Sequence, residues 1–478
     1  MVSKMERRGL AQFLMPMIAG YVLLSVAILN GYPLLFPDSG DYIVKSFTLE
    51  VPPYRTIFYS IFMRLTSFGI SPWLAVVAQS AMTVFVLFAC LEYLCEHKEG
   101  STWKSRLFVG MVLALACGTS LPWYVGQLMP DIFTGLLILC LFLLLYDSQL
   151  STETSVCLAF LVMVCIACHN SHLLIAGLIL VGVGALRVLS RTRILWPTRS
   201  KKQITLFVLV PIVAGAFAVA FSNRHDGMGF VSSPGGHMFL LARLFASGMA
   251  GSFLRQDCKV EALIACTYLD KLPRNEDDFL WGDNPMFKAM GGWLESKAQA
   301  NRIIVGSIRY NPGRFLAECF KQTLLQFVRM KPGDGNTSYH PVVIQALKTF
   351  YPQDTQKWEN SMQWSDGLRK LAKRVSGVYI SVFWLSMACC LVVLALRWRQ
   401  ADAASKLFVF VLIALLSNAL ITGSLSEVAD RYQSRASWLM AICFLGHVLS
   451  RLSRRQNITN HALREPARHR QRFREVAQ

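Results

Sequence analysis

Charge is scarce in this sequence. Only 16% of its 478 residues are charged, against 54% hydrophobic, and the mean hydropathy is +0.40. Soluble globular chains carry about 25% charge, so a water-soluble domain is excluded and a polytopic membrane protein is expected. Metal-ligand spacing is also scarce: of the 13 cysteines only Cys165 and Cys168 stand in a CxxC pair, and they lie inside an apolar run with no second pair, which excludes zinc ribbons and fingers. No repeat of roughly 20–50 residues is visible, which excludes solenoids and propellers. No low-complexity linker divides the chain. No small-residue cleavage site follows the first apolar run, so that run is expected to stay as a signal anchor.

What is present is a series of ten apolar runs: 11–30, 73–95, 107–122, 131–146, 155–168, 173–187, 204–222, 375–396, 406–423 and 436–450. Spans of roughly 17–25 apolar residues cross a bilayer. Placing the N-terminus in the cytoplasm puts 23 Lys/Arg in the short inner segments and 5 in the short outer loops. This bias fixes the orientation, with both termini inside. The expected fold is all-α: a polytopic bundle of about ten transmembrane helices, with interfacial helices and a large, mostly helical extracytoplasmic segment. It divides into an N-terminal membrane module (1–222), that outer segment (223–374), a C-terminal membrane module (375–450) and a basic cytoplasmic tail (451–478).

The net charge of +19 invites a nucleic-acid reading. Its placement opposes one, because the basic tail follows a membrane span and suits anionic lipid headgroups. Nine cysteines, Cys90 to Cys443, lie in apolar runs and act as small hydrophobes. Cys258 and Cys266 fall in the outer segment, where an oxidising compartment allows them to pair.

The candidate chemistry gathers on the outer side. Phe36-Pro37-Asp38-Ser39-Gly40-Asp41-Tyr42 reads as a tight acidic turn just past the first run. Lys45 and Arg55 follow, and residues 55–69 are apolar at helical spacing, as in an interfacial helix. Trp123 and Tyr124 sit at an outer tip and suit the headgroup belt. Asp131 opens the fourth run, either as a helix N-terminal carboxylate or as a functional one. His169 and His172 share a short outer tip, and His237 follows Ser-Ser-Pro-Gly-Gly in the outer segment. Arg431 and Arg435 lie one helical turn apart beside Tyr432, in the tip before the last run. They either balance Glu427 and Asp430 or grip a phosphate.

A carboxylate that takes a proton from a hydroxyl, with cations beside a departing phosphate, suits sugar transfer from a lipid phosphate. Asp38 or Asp41 is the candidate base. The pair is equally a candidate site for a divalent cation, Mg²⁺ or Mn²⁺.

The acidic first outer loop, the interfacial helix, the many spans and the late Asp-Arg-Tyr tip together resemble the GT-C superfamily of membrane glycosyltransferases. Asp38-Ser39-Gly40-Asp41-Tyr42 is similar to that family's Asp-Glu-x-x-Tyr-like motif. Asp38 matches the catalytic Asp and Tyr42 the Tyr, while Ser39 replaces the Glu and leaves Asp41 as the second carboxylate. Arg431-Tyr432 resembles the late Arg-Tyr motif without its following prolines. The resemblance covers 1–222 and 375–450. It implies an inverting enzyme with a polyprenyl-phosphate sugar donor and a glycan, lipid or protein acceptor. It implies a site on the periplasmic face of a bacterial inner membrane. By the same analogy Asp38, Asp41 and Asp131 are the candidate catalytic residues. Tyr42, Lys45, Arg55, His169, His172, His237, Arg431, Tyr432 and Arg435 are the candidate substrate contacts. Two rivals remain. A lipid-linked polysaccharide polymerase or ligase would rely on outer arginines rather than a first-loop Asp. A transporter would show internal repeats and broken spans placed symmetrically.

Overall fold

The computed structural model describes residues 4–96, 101–189, 196–260, 263–338, 340–397 and 402–452. Most of the expected basic tail, and parts of the inner segments 96–106, 187–202 and 397–406, lie outside the described residues. Among the described residues every regular element is helical, and the extended contact is an isolated parallel bridge between Leu34 and Gln127.

Five helices are long and apolar enough to cross a membrane: Pro72–Leu94, Asn170–Leu189, Lys201–His225, Gly367–Leu396 and Ala403–Leu425. Each falls on one of the ten expected runs. Gly236–Ala246 and Met249–Asp257 pass the same test only as a pair bent by 90°, which brings the count to six. Several other runs are too short or are interrupted. Run 11–30 breaks into Lys4–Leu23 and Ser25–Asn30. Ile132–Tyr146 and Thr152–Cys168 have 15 and 17 residues. About 20 are needed to span the hydrocarbon core.

Ile132–Tyr146 is the pillar of the bundle. All of its residues are buried, which matches its apolar character on every side. Gly135 makes room for the indole of Trp438, since a Cβ there would lie 2.3 Å from the ring. The outer tip before the pillar also folds inward. Trp123 and Tyr124, expected in the headgroup belt, are only 2% and 3% exposed. Trp123 Nε1 donates to the Tyr379 hydroxyl at 3.4 Å, and the Tyr124 hydroxyl donates to the Arg431 carbonyl at 3.3 Å. Tertiary packing and these bonds outcompete the interface.

The acidic stretch is a helix rather than a turn, Pro37–Thr48. Pro37 sits at its first position, where a fixed φ helps and a missing N–H costs nothing. Ser39 Oγ accepts from Phe36 N at 2.9 Å and closes the start. At Gly40 this helix meets Pro341–Phe350 so closely that a Cβ would lie 2.8 Å from the Val342 backbone.

The 223–374 segment splits in two. Residues around 238–308 form a separate core, closed by the Cys258–Cys266 disulfide. Val343, Leu347, Tyr351, Trp358 and Leu368 instead join the core of the membrane bundle. Between them, helix Pro312–Val328 buries Gln326, which exchanges two hydrogen bonds with the Ala429 backbone. It exposes Leu316 and Phe320. Polar residues inward and apolar residues outward suit a helix whose free face meets lipid.

Candidate functional site

On helix Pro37–Thr48, Asp38, Asp41 and Tyr42 fall at i, i+3 and i+4 and share one face. Arg55 lies across that face. Its Nη2 is 3.0 Å from Asp38 Oδ1 and its Nε is 3.5 Å from Asp41 Oδ2. Its guanidinium also sits over the rings of Tyr42 and Tyr54, at 5.0 and 4.9 Å.

From the far end of the sequence comes helix Asp430–Ser437. Arg431 Nη1 reaches to 3.9 Å from Asp38 Oδ2. Its guanidinium lies over the Phe36 ring at 4.1 Å, and its Nη2 donates to the Tyr432 hydroxyl at 3.2 Å. Asp334 anchors the helix start by accepting from Arg431 N at 3.1 Å. Gly335 lies directly against Phe36, with φ at +71°. Arg431 is 8% exposed, yet its Nη1 has no hydrogen-bond partner. Helices Pro37–Thr48 and Asp430–Ser437 therefore meet at Asp38 and Arg431.

The two carboxylates differ in acidity. Burial pushes Asp38 up, but Arg55 and then Arg431 outweigh it and hold the carboxyl below the usual range. Burial dominates at Asp41, and despite Arg55 and Lys45 its carboxyl sits above the usual range. On the other side of Arg431, burial and the nearby Asp277 carboxylate push Glu427 up to about 7.

Arg435 is a correction to the expected pair of phosphate cations. It is fully buried, with Nη1 3.0 Å from Asp131 Oδ1 and Nη2 donating to Asn418 Oδ1 at 3.1 Å. Asp131 has no capping bond from its side chain, so it serves as the counter-ion of Arg435. His172 is equally enclosed. Its Nδ1 donates to the Cys165 carbonyl at 2.6 Å, which leaves Nε2 to accept from Thr134 Oγ1 at 2.8 Å. His169 stacks on it at 5.0 Å and lies within electrostatic reach of Arg435, Arg431 and Arg55.

The remaining candidates make other contacts. His237 contacts Ser296 Oγ at 3.2 Å and the Pro234 carbonyl at 3.1 Å within the second core. Lys45 pairs with Glu50 at 2.6 Å. Tyr432 lies beneath both late guanidiniums, 4.8 Å from that of Arg431 and 5.2 Å from that of Arg435.

The acid pair does not fit a divalent cation in this arrangement. Arg55 already bridges both carboxylates, and a metal there would face Arg431 as well. Among the described residues no three His, Cys, Asp or Glu side chains converge as metal ligands.

The site also contains residues that sequence reasoning left out: Phe36, Tyr54, Asp334 and Asn418. Phe36 and Tyr54 flank the motif and the Arg55 break, so their neighbours pointed toward them. Asp334 and Asn418 carry no local signal. Comparison with family models, curated proteins and solved structures finds no match.

Proposed function

We propose that the chain is a GT-C-type membrane glycosyltransferase that moves a sugar from a polyprenyl-phosphate donor to an acceptor hydroxyl. The observation that carries this reading is Arg431. It is an almost fully buried guanidinium with an unpartnered Nη1, held on an aromatic ring beside two carboxylates of unequal acidity. Such a group suits a phosphate that arrives from the membrane.

In this mechanism the acceptor oxygen attacks the sugar's anomeric carbon as the bond from that carbon to the phosphate oxygen breaks, with inversion. The acceptor proton passes to Asp41, which burial makes a weaker acid and so a stronger base than an ordinary carboxylate. The electron pair leaves with the polyprenyl phosphate, and Arg431 stabilises that charge. Asp38 holds Arg55 and Arg431 in place. Ser39, which stands where the family has Glu, caps the helix and donates to the Leu128 carbonyl at 2.9 Å, so the second carboxylate falls to Asp41.

We place the site on the outer face of a bacterial inner membrane, with both termini inside and the shorter helices completing ten crossings. The Lys/Arg bias supports that sidedness. So does the Cys258–Cys266 disulfide, which an oxidising compartment favours. The test is to incubate the purified protein with a panel of polyprenyl-phosphate sugars and follow release of polyprenyl phosphate. Arg431→Ala and Asp41→Asn are each expected to slow release by about 10²-fold or more. Release at the wild-type rate in both variants sinks the reading.

A further inference from the structure

Beside Arg55 lies a corner of aromatic rings. Tyr54 is 5.5 Å from Trp281 at 87° and 5.1 Å from Trp293 at 44°, and the two indoles are 5.3 Å apart. Trp281 is half exposed, at 50%. The corner adjoins the acid pair, because Tyr54 lies within electrostatic reach of Asp41 and its ring lies under Arg55. Asn170 Nδ2 donates to the Tyr54 carbonyl at 3.4 Å and to Ser233 Oγ at 3.2 Å.

Two buried oxygens at this corner have no hydrogen-bond partner: Asp41 Oδ2, which Arg55 Nε approaches at 3.5 Å, and Asn170 Oδ1. Buried polar atoms are almost always paired, so the two orphans point to a missing donor. The donor must come from a molecule with two characters at once. It must offer C–H groups to aromatic faces, whose negative π surface attracts them. It must also offer several hydroxyls. An acyl chain has only the first, and a phosphate headgroup accepts hydrogen bonds rather than donating them.

We propose that this corner is the acceptor subsite and that the acceptor is a carbohydrate. One pyranose face lies on the half-exposed Trp281 ring, and its hydroxyls donate to Asp41 and Asn170. The assignment rests on the sugar-transfer reading above. It places the donor phosphate at Arg431 and the attacking hydroxyl at Asp41.

The test uses the full chain in detergent and two probes. Binding of a trisaccharide panel (mannotriose, cellotriose and chitotriose) is measured by saturation-transfer NMR and calorimetry. Binding of a polyprenyl monophosphate is measured in parallel. At least one trisaccharide is expected to bind. Trp281→Ala is expected to weaken it about tenfold while Trp281→Phe keeps most of it. Asn170→Leu, which leaves the rings in place, is expected to weaken it as well, and polyprenyl phosphate binding is expected to stay at the wild-type level in all three variants. The carbohydrate subsite is overturned if no trisaccharide binds, if Trp281→Ala and Asn170→Leu bind as tightly as wild type, or if both probes weaken together. Polyprenyl phosphate binding that survives Arg431→Ala sinks the underlying donor reading instead, so the two failures are distinguishable.

Discussion

Arg431 and Arg435 stand one turn apart on the same helix, and their surroundings are opposite. Arg435 is closed by a carboxylate and an amide oxygen at 3.0 and 3.1 Å, although its Nε has no hydrogen-bond partner. Arg431 is open: its nearest carboxylate oxygen is 3.9 Å away and its Nη1 has no hydrogen-bond partner. The same side chain therefore does two jobs. A guanidinium gripped by a close carboxylate fixes structure, and one whose carboxylate stands off is ready for a ligand.

The largest expected effect would break the closed half. Asp131→Ala leaves Arg435 charged and unpaired in the interior, a loss of about 3–5 kcal/mol. Thermal unfolding in detergent checks it. The double variant Asp131→Leu with Arg435→Met is expected to regain most of that loss, because the pair itself gains little over apolar neighbours.

Next comes the open half. Arg431→Ala is expected to cost about 10²–10³-fold in transfer rate, with thermal stability changed by less than about 1 kcal/mol. A large drop in melting temperature instead would erase the contrast between the two arginines. Gly335→Ala sharpens the same point from behind. Its Cβ would lie 1.8 Å from Phe36, at a φ of +71°, so the ring beneath Arg431 must move. A loss of about 1–3 kcal/mol in stability is expected, together with slower transfer.

The two acids are expected to separate by pH. Protonated Asp41 cannot accept a proton, so transfer should fall as pH drops through its raised value, above the usual carboxylate range. Asp41→Asn should remove that limb of the profile. Asp38 is depressed in the folded state, so its stabilisation is present above its unfolded value of about 3.9 and is lost as pH falls through the lower folded one. Activity should thus fail at a higher pH than stability does. The smallest effect is at Lys45, whose half-exposed pair with Glu50 should cost less than about 1 kcal/mol on Lys45→Ala, with transfer unchanged.

How much of this could be read from the residues depends on the range of the signal. Asp38, Asp41, Tyr42 and Arg431 emerge as neighbours because their side of the membrane follows from the Lys/Arg bias. The stretch at 37–48 reads as a turn from its Pro-Asp-Ser-Gly, yet Pro37 at the first position with Asp38 in the first turn is equally a helix start, and the helix forms. Hydropathy fails elsewhere because it reports removal from water and not what does the removing. Ile132–Tyr146, Trp123 and Tyr124 are all covered by protein. The pairing of Asp131 with Arg435 has no local pattern at all.

That pairing also sets a timetable for biogenesis. The ribosome makes Asp131 304 residues before the arginine that neutralises it. Throughout that interval the apolar helix behind it can rest in lipid unaided, but its acidic end must stay in water at the bilayer surface. Only when helix Asp430–Ser437 is in place can that end be sealed, so a segment synthesised far later completes this contact.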